Sequence, residues 1–266
     1  GEVMRGGGIA EVIESNSPDW AVGDLVTGLT GWQEYVLLDG SVMVQPLPKG
    51  LPVPPEVFMG ALGVTGLTAY FGLLDIGRPQ AGETVVISAA AGATGSVAGQ
   101  IAKLHGCRTV GIAGGAEKCR WLTDELGFDA AVDYKADGWP QRLREACPNG
   151  IDVDFENVGG AIMDEVMAAM NQNGRVVLCG MISGYNSGEP MRGRFDLILT
   201  KRLHVQGFIV LDFLPRFAEG IAQLAQWYGE GRIRHRDTIV EGFEQAPVAL
   251  NMLFDGRNLG KLIVRV

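Results

Sequence analysis

Much of what this 266-residue chain can be is narrowed by what it lacks. Its four cysteines, Cys107, Cys119, Cys147 and Cys179, stand apart without a CxxC pair, so neither a zinc ribbon nor a disulfide framework is indicated. Free thiols fit a reducing compartment, and a cytoplasmic location is expected. Positive charge is scarce: 22 Lys and Arg stand against 31 Asp and Glu, a net charge of -9, with no basic stripe to follow a phosphate backbone. Nucleic acid is therefore not an expected partner. No apolar run reaches the roughly 18 residues that a membrane span requires, so no membrane partner is expected either. His105, His204 and His235 lack metal-ligand spacing, and there is no Gly-x-Ser-x-Gly nucleophile motif. Low complexity is missing too, because 47% hydrophobic and 20% charged residues describe an ordinary globular chain.

What is present falls into three stretches. Residues 1–47 read as β-structure, with short apolar segments at 8–13, 24–28 and 32–38 that are too few to close a barrel. Pro46, Pro48, Pro52, Pro54 and Pro55 then form a crossing that marks a domain boundary, followed by a glycine-broken helix over 56–74. Beyond it strands and helices alternate. Strands are expected at 84–88, 108–113, 130–134, 151–156, 175–179 and 203–210, with helices at 94–105, 116–126, 139–146, 161–170, 195–200 and 215–228 between and after them. This alternation predicts an α/β fold, a Rossmann doubly wound parallel sheet of six strands whose ligands bind at the carboxyl ends. The tail offers a strand at 237–240, a helix at 244–254 and a strand at 261–266, and the two strands are expected to pair with the amino-terminal β-rich piece. The expected division is a discontinuous substrate domain, 1–50 plus 231–266, with a dinucleotide-binding domain of 51–230 inserted.

Between the first sheet strand and its helix runs Ala89-Ala-Ala-Gly-Ala-Thr-Gly-Ser-Val-Ala-Gly99, a glycine-rich turn of the dinucleotide-binding type. Gly92 lets the backbone reach a pyrophosphate, and Gly95 marks the helix start, where unpaired amides meet phosphate charge. The first glycine position holds Ala90. Val97, Ile101 and Leu104 recur at helical spacing, while Gly95, Gly99 and Ala102 leave a small stripe for close packing on the sheet. The second strand ends Ile112-Ala-Gly-Gly115 without the acid that would grip the ribose hydroxyls of NAD. Lys118 instead sits in the first turn of the next helix, where the dipole disfavours a cation. A 2′-phosphate explains it, and NADPH is the expected cofactor; Arg120 is a second candidate, and Tyr134 at the end of the third strand reaches the same region.

Three separated motifs, residues 90–103, Phe155-Glu-Asn-Val-Gly-Gly160 and Cys179-Gly-Met-Ile-Ser-Gly-Tyr-Asn186, resemble the zinc-independent medium-chain dehydrogenases/reductases. The group resembled is that of the prostaglandin reductases, leukotriene B4 12-hydroxydehydrogenases, alkenal double-bond reductases and curcumin reductases. Met59-Gly60, Gly66-Leu-Thr-Ala-Tyr-Phe-Gly72 and Asn258-Leu-Gly-Lys261 extend the likeness to both ends. It implies a GroES-like substrate domain and a cofactor site made of Gly92, Ala93, Thr94 and Gly95 at the pyrophosphate and of Gly114, Gly115, Lys118 and Tyr134 at the 2′-phosphate. It also implies Asn157 at the ribose or nicotinamide, Cys179, Gly180, Met181, Ile182, Ser183 and Tyr185 around the nicotinamide, and Phe208, Ile209, Val210 and Asn258 completing the site. Gly115 stands where this group often has serine, and group members are usually longer at the amino terminus, which implies that the chain starts partway through the substrate domain. In zinc-containing relatives a cysteine precedes the Gly-Val-Thr segment; here it is Leu62 before Gly63-Val64-Thr65, so no metal is expected.

Hydride transfer without a metal Lewis acid suits an α,β-unsaturated ketone or aldehyde, with hydride adding to the β-carbon and a hydrogen-bond donor steadying the enolate oxygen. Tyr185 is the expected catalytic residue, as donor or as its orienter, or else packs on the cofactor or substrate; solvent or the tyrosine returns the proton. The competing functions are an NADPH quinone oxidoreductase of the same superfamily and a nucleotide-binding structural or regulatory protein without turnover. The resemblance also implies a homodimer, for which the apolar sixth strand offers an edge.

Overall fold

Central strands of a parallel sheet are covered on both sides and carry apolar residues without alternation. β4 (Thr84–Ile87) is buried at every position, and β5 (Arg108–Ala113) at all but its first. In a computed structural model, which describes residues 1–40, 42, 44–47, 53–186 and 193–266, these two are joined by β6 (Ala130–Asp133), β7 (Ile151–Glu156), β8 (Met170–Leu178) and β9 (His204–Gly207). All pair in parallel, in the order β6-β5-β4-β7-β8-β9. This is the doubly wound order that reverses direction at β4, so a crevice opens between the carboxyl ends of β4 and β7.

One face of the sheet, with Val85, Ile87, Val153, Phe155 and Val177, packs against α1 (Val64–Phe71), α2 (Ala93–Leu104) and α7 (Phe217–Gly229) through Leu67, Phe71, Val97, Ile101, Leu224 and Trp227. The opposite face, with Val86, Val110, Ile112, Ile151 and Val176, packs against α4 (Trp139–Ala146) and α5 (Gly160–Ala169) through Leu143, Ile162, Met163, Val166 and Met167. α3 (Ala116–Arg120) follows β5, and α6 (Phe195–Lys201) precedes β9. Close approach favours glycine within both α1 and α2. A β-carbon at Gly99 of α2 would stand 1.9 Å from the Phe128 ring, and one at Gly66 of α1 would stand 1.8 Å from the Ala61 carbonyl oxygen.

Three expectations are corrected. Residues 32–38 form no strand: among the described residues no strand pairs with them, and Glu34, Tyr35 and Leu37 face solvent while Val36 and Leu38 are half-buried; the third amino-terminal strand is β3 (Val44–Pro46), paired with β2 (Leu25–Gly28), which in turn pairs with β1 (Gly8–Glu11), all antiparallel. The tail strands β10 (Asp237–Glu241) and β11 (Lys261–Arg265) pair in parallel with each other, and among the described residues neither pairs with β1 to β3. The cause is α8 (Ala246–Asp255), a crossover that returns the chain in the same direction and satisfies both strands locally. Finally, β9 stops at Gly207, and a 3₁₀ turn over Val210–Arg216 takes the place of its last residues. Pro48 and Pro52 of the proline crossing, and the expected boundary between residues 50 and 51, lie outside the described residues.

Candidate active site

The phosphate turn grows out of β4. Ser88 ends the buried run, and Ala89 takes a left-handed conformation at φ 47°, which reverses the chain before α2. Ala90, in the first glycine position, is fully buried and donates its amide to Ile112 of β5 at 3.0 Å, while Gly92 donates to Ala89 at 2.9 Å. Gly92 is the extended N-cap of α2 and no side chain caps that end. Gly92, Ala93 and Thr94 are partly exposed, so the first-turn amides lie open at the carboxyl edge of the sheet. Gly95 admits no substituent, since a β-carbon would meet the Ala89 carbonyl oxygen at 2.5 Å and the Ala90 Cα at 2.9 Å. An open, uncapped helix start with bare backbone around it fits a pyrophosphate.

At the end of β5, Gly114 and Gly115 expose the backbone to a small cationic cluster. A β-carbon on Gly114 would stand 2.9 Å from Lys135 Cε and 3.0 Å from the Tyr134 ring. Gly115, at φ 100°, and Lys135 both donate their amides to Asp133 Oδ1, at 2.8 and 2.9 Å. Burial first, and then the positive charge of Lys135, pull the Lys118 ammonium below its ordinary range. Two ammonium groups close enough to repel, beside a tyrosine and two glycines, fit a doubly charged phosphate. Lys135 was missed in the sequence, although it directly follows Tyr134. Arg120, the other candidate, is exposed.

The strand-end turn after β7 meets the loop after β8. Asn157 donates from Nδ2 to the Ser88 carbonyl at 2.7 Å, and from its backbone to Ser88 Oγ at 2.7 Å. Cys179 and Gly180 donate their amides to the Glu156 carbonyl, Ile182 donates to the Asn157 carbonyl, and Ser183 binds the Val158 carbonyl through both its amide and its hydroxyl. Tyr185 is 63% exposed, and its hydroxyl oxygen accepts the Met181 amide at 3.2 Å. The hydroxyl hydrogen therefore remains free to be donated. Burial, reinforced by the Glu156 carboxyl, pushes the Cys179 thiol up to about 12.

The remaining expected residues are placed less directly. Phe208 covers Gly72, with its ring edge-on to Phe213, and Ile209 is 64% exposed at the sheet edge. Asn258 is buried and donates to the Gly260 carbonyl in its own loop at 3.1 Å. That loop in turn touches the phosphate turn, where Gly260 donates to Ala91 at 2.9 Å. Leu62, where a zinc ligand stands in other relatives, is an apolar core residue at 2% exposure. Among the described residues no three His, Cys, Asp or Glu side chains come together to hold a metal ion, and no helix is long and apolar enough to cross a membrane.

Comparison with known proteins shows the family of the chain. A family model described as zinc-binding dehydrogenase matches residues 93–227, and one described as the N-terminal domain of oxidoreductase matches residues 1–45. The chain is 45% identical to the NADPH-dependent curcumin reductase of Escherichia coli (strain K12), with all of this chain and 79% of that protein covered. It is 41% identical to prostaglandin reductase 1 of Bos taurus, covering all of this chain and 82% of that one. The 2-alkenal reductase (NADP(+)-dependent) of Nicotiana tabacum is 40% identical, with all of this chain and 78% of the relative covered. Among solved structures, CurA from Vibrio vulnificus in complex with NADPH superposes with a TM-score of 0.93 at 44% identity, over all of this chain and 80% of that one.

Proposed function

The chain belongs to the medium-chain dehydrogenase/reductase family, and from that premise we propose that it reduces the C=C bond of α,β-unsaturated ketones or aldehydes with NADPH. NADPH is its cofactor and it is an oxidoreductase, as its curcumin, prostaglandin and alkenal reductase relatives are named. When bound, the nicotinamide supplies a hydride to the substrate β-carbon. Everything else falls to side chains and backbone. Gly92 to Gly95 bind the pyrophosphate through open amides, and Lys118 and Tyr134, with Lys135 beside them, hold the 2′-phosphate. Asn157 and the loop from Cys179 to Tyr185, joined by the hydrogen bonds between strand ends, orient the nicotinamide end.

The observation that carries the reductase reading is the Tyr185 hydroxyl, whose oxygen is fixed by the Met181 amide while its hydrogen is left to donate. As hydride reaches the β-carbon, negative charge collects on the carbonyl oxygen, and one well-aimed donor there is worth about 2.7 to 4 kcal/mol. The enolate then takes a proton at the α-carbon from solvent or from the Tyr185 hydroxyl, which solvent reprotonates, and this completes the saturated ketone or aldehyde. The test is NADPH oxidation measured with a panel of small enones and quinones. Tyr185→Phe is expected to lower kcat with an enone by about 10²-fold without changing NADPH affinity. Unchanged turnover overturns the donor role, and turnover of quinones alone overturns the substrate class.

Two further expectations belong to this reading. We infer a homodimer joined along β9, because Phe195, Leu199, Ile209 and Leu211 expose apolar surface beside that edge strand; a monomer mass by light scattering overturns it. We also infer a reducing, cytoplasmic setting, which the four free cysteines support.

A further inference from the structure

We propose that Glu156 is a positioning residue for the reductase, and that it acts as a hydrogen-bond acceptor rather than as a charge. Glu156 ends β7 with its side chain fully buried. Its Oε1 accepts the Ser88 hydroxyl at 2.6 Å, the Gly159 amide at 2.8 Å and the Val158 amide, while Oε2 has no partner. One oxygen thus gathers the end of β4 and the turn after β7, segments separated by 68 residues in sequence. Because Ser88 gives its hydroxyl hydrogen to Glu156, its oxygen lone pairs face the Asn157 amide, which binds there at 2.7 Å. The Asn157 side chain then reaches the Ser88 carbonyl, and the Asn157 and Val158 carbonyls receive Ile182 and Ser183 of the loop that ends at Tyr185.

The chain of contacts runs from Glu156 through Ser88 to Asn157, and from the Val158 turn to the loop. Ser88 also immediately precedes Ala89, where the phosphate turn begins. Glu156 therefore sets the distance between the two halves of the cofactor cleft while touching neither substrate nor cofactor. Burial raises its carboxyl above the ordinary range, against the pull of the Ser88 hydroxyl and the backbone amides. A neutral carboxyl protonated on Oε2 still offers a carbonyl oxygen with two lone pairs at the same place, so an acceptor remains there after protonation. A glutamine would offer it as well.

The inference rests on the reading that Asn157 and the 179–185 loop serve the nicotinamide, and the test separates the two. Steady-state kinetics with NADPH and a small enone are measured for Glu156→Ala, Glu156→Gln, Ser88→Ala and Asn157→Ala, with thermal melts to confirm folding. Loss of the acceptor in Glu156→Ala is expected to lower kcat/KM for NADPH by about 10²-fold, since misplacement of about 1 Å costs that much, while the enone KM changes little. Glu156→Gln is expected to restore activity to within about threefold and to keep the wild-type pH profile, because the acceptor is retained. If Glu156→Gln is as impaired as Glu156→Ala, or loses an ionisation from the profile, the charge is what matters and the proposal fails. If Glu156→Ala does not fold, Ser88→Ala decides, since normal kinetics there remove the relay. Should Asn157→Ala leave NADPH affinity and kcat unchanged, the underlying assignment of Asn157 falls instead.

Discussion

Asp154 and Glu156 place two carboxyl groups on one buried face of the same strand, and only Glu156 is met by hydrogen-bond donors. Asp154 lies between Val86 and Val176 of the neighbouring strands, in the core formed with α4 and α5. Burial, and secondarily the Glu156 charge, push its carboxyl well above the ordinary value of 3.8. A folded-state value above the unfolded one means that the contribution to stability is complete below about pH 4 and is lost as the pH rises through the folded value. Asp154→Val is therefore expected to raise the melting temperature at pH 7, by a change of about 1–3 kcal/mol, and to flatten the pH dependence of stability. Asp154→Asn leaves an orphan amide and gains less. Melts at pH 5 and 8 check this, and a lower melting temperature for the valine variant at both would sink it.

The Lys118 and Lys135 pair governs cofactor choice in the proposed reading. Lys118→Ala and Lys135→Ala are each expected to weaken NADPH by about 10- to 100-fold, the worth of a charge-assisted hydrogen bond, and to leave NADH binding almost unaltered. Because burial and Lys135 lower the Lys118 value, NADPH affinity should decline on the alkaline side before an ordinary lysine loses its proton. Removing Lys135 should move that decline to higher pH. Fluorescence titrations from pH 7 to 10 test both points, and equal losses for NADPH and NADH would show that the lysines do not read the phosphate.

The parts of this fold legible in the sequence are those whose burial is locally dictated. β4 and β5 are covered on both faces, so their residues form apolar runs, and the turn at Gly92 and Gly95 is written in residues that touch each other. The amino-terminal segment 32–38 is apolar too, but among the described residues it joins no strand, and no local feature separates it from Val44–Pro46. The pairing of β10 with β11 depends on how α8 returns the chain. In the site, Asn157 could be named from its motif, but the acceptor role of Glu156 needs Ser88, and the opposition of Lys118 and Lys135 needs β5 and β6 side by side. Such relations are set by sheet order.

Two glycines of α2 should separate binding from stability. At Gly95 the obstacle to a β-carbon is the backbone of Ala89 and Ala90, within the phosphate turn itself. Gly95→Ala is expected to displace that turn and weaken NADPH by at least about tenfold. At Gly99, one helical turn further along the same face, the obstacle is the buried Phe128 ring rather than the phosphate turn. Gly99→Ala is expected to cost about 1–3 kcal/mol of stability through overpacking, with NADPH affinity retained. If Gly99→Ala loses cofactor binding while melting like the wild type, this division is wrong.

In the proposed reading the substrate is a Michael acceptor held beside the enzyme's own side chains, and Cys179 stands in the loop assigned there to the nicotinamide. Alkylation proceeds through the thiolate. Burial and the Glu156 carboxyl raise Cys179 to about 12, and burial raises Cys107 and Cys147 to about 11. At pH 7.5 the thiolate fraction of Cys179 is then on the order of one in 10⁴ or less. The native protein should therefore resist iodoacetamide and small enones at Cys179, and modification should become rapid only in denaturant. Raising the pH toward 10 should speed native labelling by a larger factor than it does for a model thiol, whose ionisation levels off above its ordinary value of about 8.5, while the native rate stays well below the model thiol's. Intact-mass spectrometry with peptide mapping reads each cysteine separately. Rapid adduct formation on Cys179 of the folded protein at pH 7.5 would show that the loop opens, and that burial does not protect this thiol from the substrate.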